Sequence, residues 1–139
     1  MPCILRIHGS NLDLNKALGV ISFTPYATHQ KGEPVKRQNR TFADSGFKAE
    51  VSDASWDNFA QQCKDAEAFL VRHYEELRLI EDADELELDF AYACRIGNGE
   101  GGKEISVQCD YLSVALVKVC GELSIGIALT QFPPREEGR

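Results

Sequence analysis

The chain has 139 residues, of which 43% are hydrophobic and 27% charged, and a formal net charge of −7. A domain of this size buries roughly two thirds of its unfolded surface, enough for a core without disulfides or metals, and the composition is neither disordered nor fibrous. No apolar stretch approaches the roughly 20 residues needed to cross a bilayer and no charged leader precedes an apolar run, so the expectation is a cytoplasmic protein with no membrane partner.

At the amino terminus Leu5 and Ile7 alternate with Arg6 and His8, the period of a half-buried strand. A turn at Gly9, a helix capped by Asp13 and a stop at Gly19 follow. Residues 20–45, with Pro25, Gly32 and Pro34, show no clean period and predict a long irregular excursion holding one short extended piece. Phe47, Ala49 and Val51 alternate with Lys48, Glu50 and Ser52 and predict the next strand.

Ser52, Asp53, Ala54 and Ser55 offer caps for the longest helix, in which Trp56, Phe59, Ala60, Cys63, Ala66, Leu70, Tyr74 and Leu77 recur at steps of three and four. Gln61, Gln62 and Lys64 fall on its polar side, and Trp56 is expected to anchor the helix in the core. Leu86, Leu88, Phe90, Tyr92 and Cys94 then alternate with polar or small residues in a long strand. A glycine-rich turn at 97–102 leads to an extended segment at 104–108, and a helix from Asp110 buries Leu112, Ala115, Leu116, Val119 and Cys120 before Gly121 ends it. Leu123, Ile125, Ile127 and Leu129 mark the last strand, which Pro133 and Pro134 cannot continue.

The order is strand-helix-strand, long helix, strand-helix-strand. This predicts an α+β fold of two layers, a mixed sheet of about four to five strands with helices on one face. Residues 1–132 form a single domain and 133–139 a flexible tail. The other sheet face carries Arg6, His8, Asp89 and Arg95 beside the small residues Ala91, Ala93, Gly126 and Ala128. Solvent, the 20–45 excursion or a second subunit must lie against it.

Residues 75–89 hold Glu75, Glu76, Glu81, Asp82, Asp84, Glu85, Glu87 and Asp89 against the lone base Arg78, and the rest of the chain is neutral. Such a balance opposes nucleic-acid binding, in which Lys and Arg neutralise phosphates, and suits a basic protein partner. The basic loop with Lys31, Lys36, Arg37 and Arg40 is a candidate contact for an acidic one, and a solvated loop is its ordinary reading.

Gly97-Asn98-Gly99-Glu100-Gly101-Gly102-Lys103 imitates a phosphate-binding glycine loop, but a strand pattern follows it rather than a helix, and Glu100 and Glu104 repel anions. Cys109, just before the helix expected from Asp110, is the only candidate nucleophile that a helix dipole would activate. The three histidines lie in separate elements, so no base is supplied locally. The five cysteines are odd in number and widely spaced, as reduced core thiols are, and no spacing fits a metal site. No catalytic residue, cofactor or metal is assigned.

Leu5-Arg6-Ile7-His8-Gly9, Lys31-Gly32-Glu33-Pro34, Ser45-Gly46-Phe47, Val51-Ser52-Asp53-Ala54, Asp65 to Leu70, Leu88-Asp89-Phe90 and Gly121 to Ile127 together resemble a group of small bacterial proteins related to the family catalogued as domain of unknown function 4279. The resemblance spans nearly the whole chain. It implies a compact bacterial α+β domain and transfers no catalytic residue. The leading expectation is a non-enzymatic protein that binds a protein partner or a second copy of itself, in the manner of small acidic immunity proteins. The rival is a small enzyme or ligand-binding domain built on the open sheet face.

Overall fold

β1 (Cys3–Gly9) lies at the centre of a five-stranded sheet with the order β2-β3-β1-β4-β5. It pairs antiparallel with β3 (Ser45–Ser52) and β4 (Glu85–Ala93), β2 (Ala27–His29) pairs antiparallel with β3, and β5 (Gly126–Phe132) runs parallel to β4. The computed structural model describes residues 1–97, 104 and 106–133. Among these residues four helices, α1 (Leu14–Val20), α2 (Phe59–Arg72), α3 (Tyr74–Arg78) and α4 (Val114–Glu122), complete a two-layer α+β fold. Among the described residues no helix is long and apolar enough to cross a membrane.

The period-two pattern becomes burial: Cys3, Leu5 and Ile7 of β1, Phe47 and Ala49 of β3, and Leu88, Phe90 and Tyr92 of β4 are buried. All of these but Ala49 meet Phe59, Cys63, Ala66 and Leu70 of α2 and Leu116, Val119 and Cys120 of α4 in one core. All five cysteines are free thiols, with Cys3, Cys63 and Cys120 buried.

The 20–45 excursion reaches the open face at its β2 edge, where Asp44 meets His8. Its first part packs on the helical side, where the Phe23 ring lies 4.9 Å from those of Phe69 and His73. Tyr26 N–H then donates to the Lys48 carbonyl at 3.0 Å and leads into β2 at the sheet edge. Beyond β2 the chain makes a hairpin closed by Gly32 N–H to Phe42 O and Val35 N–H to Arg40 O, each at 2.9 Å.

Several sequence expectations are corrected. The long helix begins at Phe59, where the Asn58 side chain caps it by accepting from Gln61 N–H. It cannot begin near Asp53, because the Trp56 carbonyl accepts from Ala93 N–H at 3.0 Å and so runs alongside β4 beyond the end of β1. Trp56 is therefore 37% exposed, edge-on to Phe132 at 4.9 Å, and is no core anchor. Gln62, expected on the polar side, is fully buried, and its Nε2 donates to the carbonyls of Ala91 at 3.0 Å and Ser55 at 3.3 Å.

The glycine stops are also corrected. Gly19 and Gly121 lie inside the last turns of α1 and α4, and the reversal after α4 is made by Ser124 at φ 57°. That reversal turns Leu123 and Ile125 into the core before β5 starts, and leaves Leu129 on an edge strand at 49% exposure. The α4 helix is capped by Ser113 rather than Asp110, and Glu104 and Ser106 to Gln108 lie in no strand. Of the glycine-rich turn, Gly97 takes φ 86°; residues 98–103 and the tail beyond Pro133 lie outside the described residues.

The resemblance motif around Gly9 has a steric reason. A Cβ there would land on the carbonyl oxygen of Asp82 and 2.9 Å from Asp84 N. Only glycine lets the 82–84 turn dock on β1, where Asp84 N–H donates to His8 O at 2.9 Å and Ser10 N–H to the Asp84 carboxylate at 2.8 Å.

Candidate functional site

Register assembles the polar sheet face. In β1, Arg6 is opposite Lys48 of β3 and Glu87 of β4, and His8 is opposite Gly46 and Glu85. Glu85, Glu87 and Asp89 alternate along β4 and so share one face. The Arg6 guanidinium reaches Asp89 at 2.6 Å and Glu87 at 3.3 Å, and Thr130 of β5 donates to the other Asp89 oxygen at 2.8 Å.

A second cluster adjoins it. His8 Nδ1 is 2.7 Å from one oxygen of Asp44 and His29 Nε2 is 2.9 Å from the other, so one carboxylate bridges β1 and β2. His8 Nε2 lies 3.3 Å from Glu85, and the His29 ring stacks on Phe42 with centroids 4.5 Å apart. Burial raises the Asp44 carboxyl, but the hydrogen bonds of His29 and His8 outweigh it and hold the group below its ordinary value. Glu87 is pushed up by burial first and then by its hydrogen bond to Glu85, with Arg6 pulling the other way.

The expected surface therefore divides. Arg6, His8 and Asp89 come together, with Asp44 and His29 as partners the sequence reading missed. Arg95 is not among them, since it lies beyond the far end of β4 and pairs with Asp110 at 3.1 Å. Lys31, Lys36, Arg37 and Arg40 are exposed on the hairpin past β2. Lys31 reaches back to the Ser10 carbonyl at 3.5 Å, while Lys36 and Arg37 make no ion pair among the described residues.

Chemically, the open face is occupied with itself. Its arginine and both of its histidines already bind its carboxylates, and the nearby Ser45 hydroxyl accepts from Lys31 N–H at 2.9 Å. Among the described residues no group of three or more His, Cys, Asp or Glu converges to hold a metal. Cys109 is exposed but precedes α4 by several residues, so the helix dipole does not act on it as expected.

The acidic run is likewise engaged. Glu75 pairs with Arg78, Glu76 with His73, Glu81 with Lys16, and Glu85, Glu87 and Asp89 with β1.

Exposed apolar surface lies elsewhere, in Val107, Tyr111, Val114 and Val117, which are 77%, 74%, 76% and 49% exposed. Val114 and Val117 are one turn apart on α4. On another side of α4, an open groove of about 550 Å³ runs between α2–α3 and α4, lined by Val71, Ala115 and Val119 with Glu75, Glu122, Arg72 and Lys118. The sequence signal for this surface is the pair Val114 and Val117, which lie outside the helix's buried stripe of Leu116, Val119 and Cys120. A scan of protein-family models and searches of curated proteins and of solved structures return no match.

Proposed function

We propose that this chain is a non-enzymatic bacterial cytoplasmic protein that acts by binding another protein, as small acidic immunity proteins do, and that it is kin to the family of domain of unknown function 4279. The observation that carries the reading is the contrast between its two faces. Val107 and Tyr111, in the segment before α4, and Val114 and Val117, on α4, are exposed, and α4 also lines an open groove on another of its sides, whereas Arg6, His8 and His29 of the sheet face are paired with its carboxylates. Val114 and Val117, one turn apart on α4, give an exposed apolar stripe of the kind a docking partner covers. The partner that fits is a segment with apolar anchors and flanking charges of both signs, with Lys or Arg in excess, since the groove is bordered by Glu75, Glu76 and Glu122 beside Arg72 and Lys118 and the chain is acidic overall.

The test is photo-crosslinking from position 117 in the native host, followed by reconstitution of the captured protein from purified components. Val117→Asp should weaken the reconstituted complex by at least about tenfold, the effect of a charge in a desolvated contact, without moving the melting temperature. Glu50→Arg on the sheet face should leave affinity unchanged. A complex indifferent to Val117→Asp and sensitive to Glu50→Arg would overturn the reading.

A further inference from the structure

The two edges of the sheet are treated differently. At one, β2 is only three residues long and the chain continues into the hairpin of residues 30–44. At the other, β5 runs for seven residues, Gly-Ile-Ala-Leu-Thr-Gln-Phe, with no charge, no proline and no bulge in its pairing to β4. Leu129 and Phe132 are 49% and 43% exposed. Short edges, charges, prolines and bulges are the usual protections against edge-to-edge pairing, and β5 has none of them.

The direction of its free groups follows from one bond. Cys94 N–H donates to Phe132 O at 2.9 Å, so Gly126, Ala128, Thr130 and Phe132 turn their backbone groups to β4. Ile127, Leu129 and Gln131 turn theirs outward, where they have no backbone partner among the described residues.

We propose that β5 is the interface of a homodimer, pairing antiparallel with β5 of a second copy about a two-fold axis at Leu129. This register sets Leu129 opposite itself and Ile127 opposite Gln131, so every outward backbone group on both copies is satisfied, and no register displaced along the strand achieves this. It also sets Gly126 opposite Phe132 and Ala128 opposite Thr130, in the closer pairs where side chains touch. An aromatic ring across from glycine covers the backbone that glycine leaves bare. Small Ala128 likewise leaves space beside Thr130.

A second copy suits the edge better than a charged partner strand. Each chain carries −7, and β5 brings two copies together along a stretch with no charge to repel. The inference is independent of the helical groove and stands or falls without it.

Sedimentation equilibrium of the parent chain should find a species of twice the 15.5 kDa chain mass, dissociating on dilution. Leu129→Lys places like charges directly opposite and should weaken dimerisation by at least about tenfold. In a Cys109→Ser background, chains carrying Ala128→Cys mixed with chains carrying Thr130→Cys should form a cross-linked heterodimer on mild oxidation, whereas neither variant alone should. Directly opposed residues lie within disulfide reach, while identical positions off the axis are too far apart. A monomer at every concentration up to the solubility limit overturns the proposal. So does a dimer that persists in Leu129→Lys, or an absence of the heterodimer cross-link.

Discussion

Replacing Arg6 by methionine tests whether β1 neutralises the acidic face of β4. Among the described residues, Arg6 is the only cation in ion-pair range of Glu87 and Asp89. The side chains of Arg6 and Asp89 are 31% and 16% exposed, between an exposed pair, which contributes about 0–1 kcal/mol, and a buried one, whose disruption costs about 3–5 kcal/mol. Methionine keeps most of the aliphatic stem, so the loss at pH 7 should be about 1–3 kcal/mol and electrostatic in origin. Its pH dependence has a definite sign. Glu87 is already raised by burial and by Glu85, with Arg6 opposing, so removing Arg6 raises it further. A carboxyl raised on folding contributes stability that is full below its unfolded value, about 4.3, and is lost as pH rises through its folded value. The deficit of Arg6→Met should therefore be largest near pH 7 and shrink by about half or more near pH 4 in urea melts. A loss below about 0.5 kcal/mol at pH 7, the range of an ordinary surface change, would refute the reasoning, as would an equal deficit at both pH values.

Gly9→Ala should cost about 2 kcal/mol or more in a thermal melt, because the added Cβ meets the Asp82 carbonyl, which belongs to backbone and cannot swing away. Gln62→Ala should cost about 2–4 kcal/mol from a cavity and two lost hydrogen bonds, and Gln62→Met should recover most of it, since Gln62 Oε1 has no partner among the described residues. Trp56→Ala should cost about 1–2 kcal/mol, short of the roughly 3–5 of a core aromatic, and a larger loss in urea melts would contradict its half-exposed place on Phe132. Burial pushes the Cys63 and Cys120 thiols up to about 11 from an ordinary 9.0. Stability should thus be full below pH 9 and fall as pH rises toward 11, with Cys109 reacting first with a thiol reagent in the native protein. Equal reactivity of all the thiols in the native state would contradict the buried core placement.

Period carried most of the fold: the strands around Leu5, Phe47 and Leu88 and the cap at Asp13 are local matters of side-chain spacing. The failures are where a long-range partner overrides local preference. Ser52 to Ser55 can cap a helix, yet the Ser52 hydroxyl donates to Asp65 at 2.6 Å and the Trp56 carbonyl accepts from β4. Gln62 reads as a surface residue until Ser55 and Ala91 present carbonyls to it inside the core. Asp44 sits in no periodic segment, and its place between two histidines exists only once β2 and β1 flank β3. Arg95 continues the alternation of Glu87 and Asp89 in the sequence, but β4 ends at Ala93, and distance along the strand and Asp110 separate Arg95 from Arg6.

The acidic run shows why composition alone misdirects. Eight carboxylates within residues 75–89 read as charge offered to a basic partner. Alternation places Glu85, Glu87 and Asp89 on one strand face, and the antiparallel register then sets His8 and Arg6 of β1 across from them. Their like-charge repulsion is relieved by pairing with residues roughly 80 positions away in sequence. A basic partner on this face would have to displace Arg6 from Asp89 and His8 from Glu85, exchanging one set of ion pairs for another with little net gain. Val114 and Val117 on the helical layer face no such competition, because covering them releases water and breaks no contact the chain already makes.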